Sequence, residues 1–275
     1  MPHILTCPIC EEALLKNDNK LACSNNHCFD FAKEGYVNLL PSQHKKTKEP
    51  GDNKTMIHCR KDFLKKGFYD FLSPELIRII RQLPDSDAHK VFLDSGCGEG
   101  YFTDQIKTQL NNDYIYYGMD ISKEAVRLAA KRNKHIHWLV ASSNNPPIAN
   151  NSLDIVLKIN APLNYDNVRK KMTDNAVVIS VTPGENHLSK LREHMYLKPQ
   201  AHKQEETPTD FKLLQQSNIE KQIKIQTRED INNLFMMTPY YWNASTKVRQ
   251  IIAELDMLET TAAFNINVYQ TTNSI

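Results

Sequence analysis

Apolar residues recur along this chain with two different periods, and the change from one to the other predicts its architecture. After Ser73-Pro74-Glu75 the pattern is helical: Leu76, Ile79, Ile80 and Leu83 fall three and four apart, the spacing that lines one helix face. Ser73 reads as the N-cap, Pro74 as the first helical residue and Glu75 as a first-turn acid. From Val91 onward, short continuous apolar runs alternate with helical stretches. Residues 91–93, 114–119, 137–141, 153–159 and 176–181 read as strands. Residues 100–110, 122–132 and a short segment near 166–172 read as helices, the second capped by Ser122. Such alternation predicts an α/β fold built on a parallel, doubly wound sheet. The tail adds a strand near 221–226, a helix from Arg228, a helix near 246–258 and a last strand over 264–269. Ahead of the alternating region, residues 1–40 are rich in cysteine. Residues 41–72 are polar and basic, broken by Pro41, Pro50 and Gly51, and run into a helix near 56–66. The predicted organisation is therefore a knuckle over 1–40, a basic linker and helix over 41–72, and an α/β domain over 73–275.

The 275 residues suffice for one sizeable α/β domain with a small appendage. With 40% hydrophobic and 24% charged residues, the composition is that of an ordinary soluble protein. No run approaches the ~20 apolar residues of a membrane helix. The start, Met1 to Cys7, has neither the charge nor the apolar core of a secretory signal. The expectation is a cytoplasmic protein with no membrane partner. Four of the six cysteines, Cys7, Cys10, Cys23 and Cys28, crowd into the first 28 residues while Cys59 and Cys97 stand apart, which favours one metal site in a reducing compartment over disulfides. Net charge is only +2. Between Ser42 and Lys66, however, Lys45, Lys46, Lys48, Lys54, Arg60, Lys61, Lys65 and Lys66 face only Glu49, Asp52 and Asp62. That local excess suits phosphate contacts as well as it suits a solvated linker.

Cys7-Pro8-Ile9-Cys10 can bite one ion from a tight turn, and Cys23-Ser24-Asn25-Asn26-His27-Cys28 supplies a second turn. Zinc takes four thiolate or imidazole donors at tetrahedral angles, and four protein donors leave no open position, so the metal is structural. His27 and Cys28 are adjacent, and the spacing leaves open which is the fourth ligand.

Asp94-Ser95-Gly96-Cys97-Gly98-Glu99-Gly100 follows a predicted strand with glycines at alternate positions. A dinucleotide turn requires Gly-x-Gly-x-x-Gly, and Tyr101 occupies the place of its third glycine. Asp94 and Glu99 put negative charge at this turn, which suits the sulfonium of S-adenosylmethionine better than a pyrophosphate. Asp120 ends the second strand, where a carboxylate accepts bonds from ribose hydroxyls. Ser142, after the third strand, is placed to line the adenine. Beyond the fourth strand, Asn160-Ala161-Pro162 lies at the sheet edge where ligands bind. Asn160 there reads equally as a base-orienting group and as a turn residue. Asp166 is a weak candidate for a general base, and the catalytic residue is otherwise unassigned. His187, beyond the fifth strand, faces the same edge or starts a surface helix.

Taken together, these residues resemble the bacterial 23S rRNA (guanine-N1)-methyltransferases. The resemblance rests on Cys7-Pro8-x-Cys10, Cys23-x-x-x-His27-x-Phe29-Asp30, the run Ala32 to Pro41, Pro50-Gly51-Asp52, Gly67-Phe68-Tyr69 and Asp94 to Tyr101. It continues through Asp120 to Lys123, Ala141-Ser142-Ser143, Ala161-Pro162, Thr182-Pro183-Gly184 with His187-Leu188, Met237-Thr238-Pro239 and Phe264-Asn265-Ile266. It implies a Rossmann-like SAM-dependent methyltransferase domain behind a small N-terminal zinc-binding domain that helps to hold an rRNA hairpin. It also implies zinc on Cys7, Cys10, Cys23 and His27, cofactor contacts at Tyr69, Gly98, Glu99 and His187, and a homodimer. The chain departs from the family pattern at Ser95, Asn160 and Thr173 to Ala176. The implied reaction puts a methyl group on N1 of an unpaired or flipped guanine.

Overall fold

The protein is described by a computed structural model over residues 4–41, 50–83, 90–110, 114–195 and 202–272. Lys45, Lys46 and Lys48 of the basic stretch lie outside the described residues. The N-terminal part forms a three-stranded antiparallel sheet of β1 (Leu15–Asn17), β2 (Lys20–Ala22) and β3 (Cys28–Asp30). β4 (Val37–Asn38) then leaves it and joins a second sheet. Two helices follow, α1 (Lys54–Lys65) and α2 (Leu72–Arg81). Strands and helices then alternate through β5 (Lys90–Ser95), α3 (Tyr101–Leu110), β6 (Tyr114–Asp120), α4 (Lys123–Arg132) and β7 (His137–Val140). β8 (Leu153–Ile159), α5 (Tyr165–Lys171), β9 (Met172–Pro183) and α6 (Ser189–Met195) continue the alternation. A long hairpin of β10 (Phe211–Ile225) and β11 (Leu258–Thr271) encloses α7 (Arg228–Met236), α8 (Pro239–Asn243) and α9 (Thr246–Ala253).

The eight-stranded sheet has the order β10-β11-β9-β8-β5-β6-β7-β4. Its strands from β9 to β4 are parallel, whereas β11 runs antiparallel to β9 and β10 antiparallel to β11. The sheet is thus mixed rather than wholly parallel, because the chain returns through a hairpin instead of a crossover helix. Each inner strand is buried on both faces, so it reads as a continuous apolar run. Phe92, Leu157, Ile179 and Val181 pack toward α2, α3 and α4, and Leu93, Val156 and Val178 pack toward the N-terminal sheet and α5.

Two helix starts differ from expectation. α2 begins at Leu72, with Phe71 as N-cap already in the right-handed helical region. The turn ahead of it delivers the chain in helical geometry, so Ser73 falls inside the first turn, buried, and its hydroxyl has no partner among the described residues. Pro74 is still tolerated there, because first-turn N–H groups have no intrahelical acceptor. At α4, Ser122 is the N-cap residue but its side chain caps nothing; its own N–H goes to Asp120 Oδ1 at 2.8 Å. Among the described residues, no helix is long and apolar enough to cross a membrane.

Candidate cofactor and metal sites

The N-terminal sheet brings four donor atoms together. His27 Nδ1 lies 3.6 Å from Cys7 Sγ, 3.4 Å from Cys10 Sγ and 3.4 Å from Cys23 Sγ, and Cys10 and Cys23 are 3.7 Å apart. Zinc–sulfur bonds of ~2.3 Å at tetrahedral angles set donors about 3.7 Å apart, so the cluster has the size of a zinc site. Two tight turns build it: Glu11 N–H donates to Cys7 O at 2.8 Å, and Asn26, left-handed with φ 62°, donates its N–H to Cys23 O at 3.0 Å. Cys28 is exposed and its thiol turns to Asn26 O, away from the cluster. The Asn25 side chain leads the hydrogen bonds that lower the Cys10 thiol to about 6, while burial raises that of Cys7. A coordinated cation holds both as thiolates.

This module is stitched to the larger sheet. Thr6 N–H donates to Pro147 O at 3.0 Å, Ala149 N–H to Ile4 O at 2.7 Å and Leu39 N–H to Val140 O at 2.9 Å. β4 extends the sheet in parallel beside β7, with Val37 opposite Leu139 and Asn38 opposite Val140. Between the module and the 144–150 loop lies a cleft of about 620 Å³, lined among others by Cys7, Leu39, Pro41, Ser142 and Asn144. Ser142 therefore stands on that cleft, its hydroxyl accepting from Asn144 N–H at 3.2 Å.

The glycine turn is fixed to the end of β6. Gly96 and Cys97 N–H both reach Met119 O, at 2.8 and 3.0 Å, and Gly98 N–H donates to Asp120 Oδ2 at 3.0 Å. Gly96 has φ 84°, and an added Cβ there would lie 2.3 Å from Ala161 Cβ; at Gly100, φ 79°, it would lie 2.6 Å from the Trp138 ring. Glycine is required at both positions by conformation and by space. The contact at Gly96 brings the turn against the Asn160-Ala161-Pro162 loop.

Three carboxylates face this turn. Asp94 is buried; Thr103 Oγ1 donates to its Oδ2 at 2.6 Å, while its Oδ1 has no partner among the described residues. Burial raises its carboxyl to about 7, against the lowering effect of Thr103 and with a further raise from Asp120. Burial raises Asp120 as well, opposed by the N–H groups of Ser122 and Gly98. Glu99 is buried and pairs through Oε2 with Arg132, leaving Oε1 without a partner among the described residues; burial raises it and Arg132 lowers it. Asp94 Oδ1 and Glu99 Oε1 are thus buried acceptors left open at the turn, and a donor on a cationic amino-acid-bearing cofactor would fit them.

Tyr69 and His187 form a second cluster on the same side. Their rings are 6.0 Å apart, and Phe264 packs on both, at 5.2 Å from Tyr69 and 4.9 Å from His187. The buried Tyr69 hydroxyl has no partner among the described residues. His187 Nδ1 accepts from Ala263 N–H at 3.2 Å, and burial lowers its imidazole to about 3. Tyr69 is tied to the glycine turn through its neighbour Asp70, which accepts from the hydroxyl of Tyr101, the first residue of α3. Asn160 is exposed and left-handed, φ 50°, with its N–H on Val181 O, which fits the turn reading. Asp166 is exposed in the first turn of α5.

Several residues at the site carried no local signal in the sequence. Arg60 of α1 bonds Asp52 at 2.6 Å and Met237 O at 3.2 Å, and lies beside Gly98. The basic stretch is therefore partly neutralised: Lys61 and Lys66 also have acidic neighbours, Asp62 and Asp230, each at 3.7 Å. Arg132 and Thr103 belong to this group, as do His202, whose ring is 6.3 Å from that of His187, and Tyr240, whose hydroxyl is 3.2 Å from His202 Nε2.

Residues 5–48 match the family model described as "RlmA, N-terminal", and residues 92–202 match "Methyltransferase domain". A 23S rRNA (guanine(748)-N(1))-methyltransferase of Streptomyces fradiae is 28% identical over 258 residues, which are 91% of this chain and 90% of the relative. A Bacillus subtilis protein described as a candidate 23S rRNA (guanine-N1)-methyltransferase is 25% identical over 94% of each chain. A Micromonospora griseorubida protein with the same kind of description is 26% identical over 98% of each chain.

Proposed function

We propose that this chain belongs with the 23S rRNA (guanine-N1)-methyltransferases that it resembles along nearly its whole length, and that it methylates N1 of a guanine in a 23S rRNA hairpin loop. The observation that carries the reading is the joining of the two sites. A four-donor metal knuckle is hydrogen-bonded into the same sheet whose parallel strands present the glycine turn. S-Adenosylmethionine, when bound, supplies an electrophilic methyl group on a cationic sulfur.

Gly96, Gly98 and Gly100 give the cofactor close access to the backbone. The orphaned oxygens of Asp94 and Glu99, with the Tyr69 hydroxyl, receive its amino-acid end. Asp120 takes the ribose hydroxyls. His187 stays neutral and closes the pocket beside Tyr69. Zinc on Cys7, Cys10, Cys23 and His27 is structural and shapes the surface that holds the hairpin. The guanine must leave its stack for N1 to face the methyl group in line, and placement supplies most of the acceleration. The reading extends to a cytoplasmic homodimer.

Transfer of tritiated methyl from the cofactor to unmodified 23S rRNA, followed by nucleoside analysis, tests the reaction. Label in 1-methylguanosine is the expected result; label on a carbon or a ribose rejects the assignment. Sedimentation velocity of the zinc-loaded protein tests the dimer.

A further inference from the structure

Guanine N1 carries a proton at neutral pH, so methyl transfer needs an acceptor for it, and no group assigned so far plays that part. His202 and Tyr240 are unassigned polar groups near the Tyr69–His187 cluster, together with Arg192 of α6. His202 Nε2 is 3.2 Å from the Tyr240 hydroxyl, and its ring is 6.3 Å from that of His187. Tyr240 comes from α8, just after Met237, whose carbonyl is held by Arg60 beside Gly98. The pair thus adjoins His187, and the start of α8 is linked through Met237 and Arg60 to the glycine turn.

His202 belongs to a stretch without regular structure, yet it is held in place. Three residues on, the Glu205 carboxylate receives Lys158 Nζ at 2.8 Å, the Tyr165 hydroxyl at 3.0 Å and the Ser180 hydroxyl. Lys158 is buried in β8, two residues before Asn160, and lies opposite Ser180 of β9. A buried cation with a satisfied carboxylate fixes its neighbours in one arrangement, since separating them strands a charge. The segment is therefore pinned at the carboxyl ends of β8 and β9, the edge where ligands bind in open α/β sheets.

We propose that the His202–Tyr240 pair takes up the N1 proton of the acceptor guanine. This rests on the reading of the site as a guanine-N1 methyltransferase. The N1 lone pair forms the new N–C bond, the C–S bond breaks, and its electron pair stays on sulfur. The N1 proton passes to the Tyr240 oxygen as the hydroxyl's own proton passes to His202 Nε2. The imidazolium then returns that proton to water. The groups around His202 favour the neutral acceptor form. Arg192 of α6 repels a second positive charge and His187 is itself neutral, while Tyr69 and Tyr240 are uncharged phenols. Burial first, and Arg192 second, lower the His202 imidazole.

Single-turnover methylation of an unmodified 23S rRNA transcript by the zinc-loaded protein, measured against pH, tests the pair. His202→Ala and Tyr240→Phe are each expected to slow transfer roughly 10²-fold at pH 7 without changing calorimetric affinity for S-adenosylmethionine. Their rates should climb with pH, because the guanine must then ionise unaided, whereas the parent rate stays flat above neutrality. Either variant with parental rate and a flat profile overturns the proposal. So does a rate loss matched by an equal loss of cofactor affinity, which marks a structural role. NMR titration of His202 should find a neutral ring at pH 7; an imidazolium there also overturns it. A parent protein that binds no S-adenosylmethionine, or that methylates another position, instead defeats the functional reading on which the proposal stands.

Discussion

Gly96 and Ala161 touch: a Cβ added to the glycine would lie 2.3 Å from that of the alanine. The glycine turn and the Asn160-Ala161-Pro162 loop thus press against each other at this point. Gly96→Ala meets two obstacles, the overlap and a left-handed φ that costs an L-residue about 1–2 kcal/mol. We expect loss of measurable cofactor binding by calorimetry. Adding Ala161→Gly removes the overlap but not the backbone penalty, so binding should return only in part. Full binding by the single variant would show that the turn relaxes freely.

Asp94 is buried and its carboxyl is raised to about 7 from an ordinary value of 3.8. Its folded-state value exceeds its unfolded one, so the unfolded chain loses this proton first as pH rises. The stability it contributes is full below pH ~4 and is lost progressively up to pH ~7, roughly 2–4 kcal/mol in all. Asp94→Asn should therefore be more stable than the parent at pH 8 without cofactor, read by urea denaturation, while failing to bind S-adenosylmethionine. Binding of the cationic cofactor to the parent at pH 6.5 should release protons, read by calorimetry in buffers of different ionisation heat.

His187 is lowered to about 3 by burial, and its Nδ1 accepts the Ala263 N–H. A folded-state value below the unfolded 6.5 means that the unfolded chain takes up the proton first on acidification. Its contribution is full above pH ~6.5 and declines as pH falls toward 3. His187→Phe leaves a buried N–H without an acceptor and should cost about 1–3 kcal/mol. It should also flatten the acid limb of the stability profile between pH 4 and 6.

The metal knuckle makes a contrasting pair of predictions. Cys10→Ser should abolish the one tightly held zinc, read by mass spectrometry under native conditions, and lower the melting temperature. Cys28→Ser should change neither, because the Cys28 thiol is exposed and turned from the cluster. Chelation of zinc from the parent should reproduce the Cys10→Ser behaviour.

The inner strands were legible because burial on both faces makes an uninterrupted apolar run, as at 153–159. β10 was not: along Phe211–Ile225 most positions are exposed, so its polar residues carry no period-2 signal beyond the last few. Its fifteen residues are held by register with β11 rather than by a buried face of their own. Ser73 misled for a related reason, since the start of α2 is set by the turn preceding it. In the site, motifs found the residues that are contiguous in sequence, Asp94 to Gly100 and Cys7 to Cys10. Arg132, His202 and Glu205 escaped because each reaches its partner across a long sequence separation, which no local pattern records; Arg60 was legible only as one charge of the basic stretch, since its bond to Met237 O is equally remote.

The parallel pairing of Val37 and Asn38 with Leu139 and Val140 has one more consequence. A tethered module would swing and search; one that shares a sheet with its neighbour cannot. Whatever the metal knuckle grips is carried at a constant offset from whatever sits at Gly98, as between the jaws of a locked caliper. On the proposed function, selection among hairpins would then be a matter of span: a loop whose guanine fell short of, or beyond, that fixed reach would be passed over even when its bases were right.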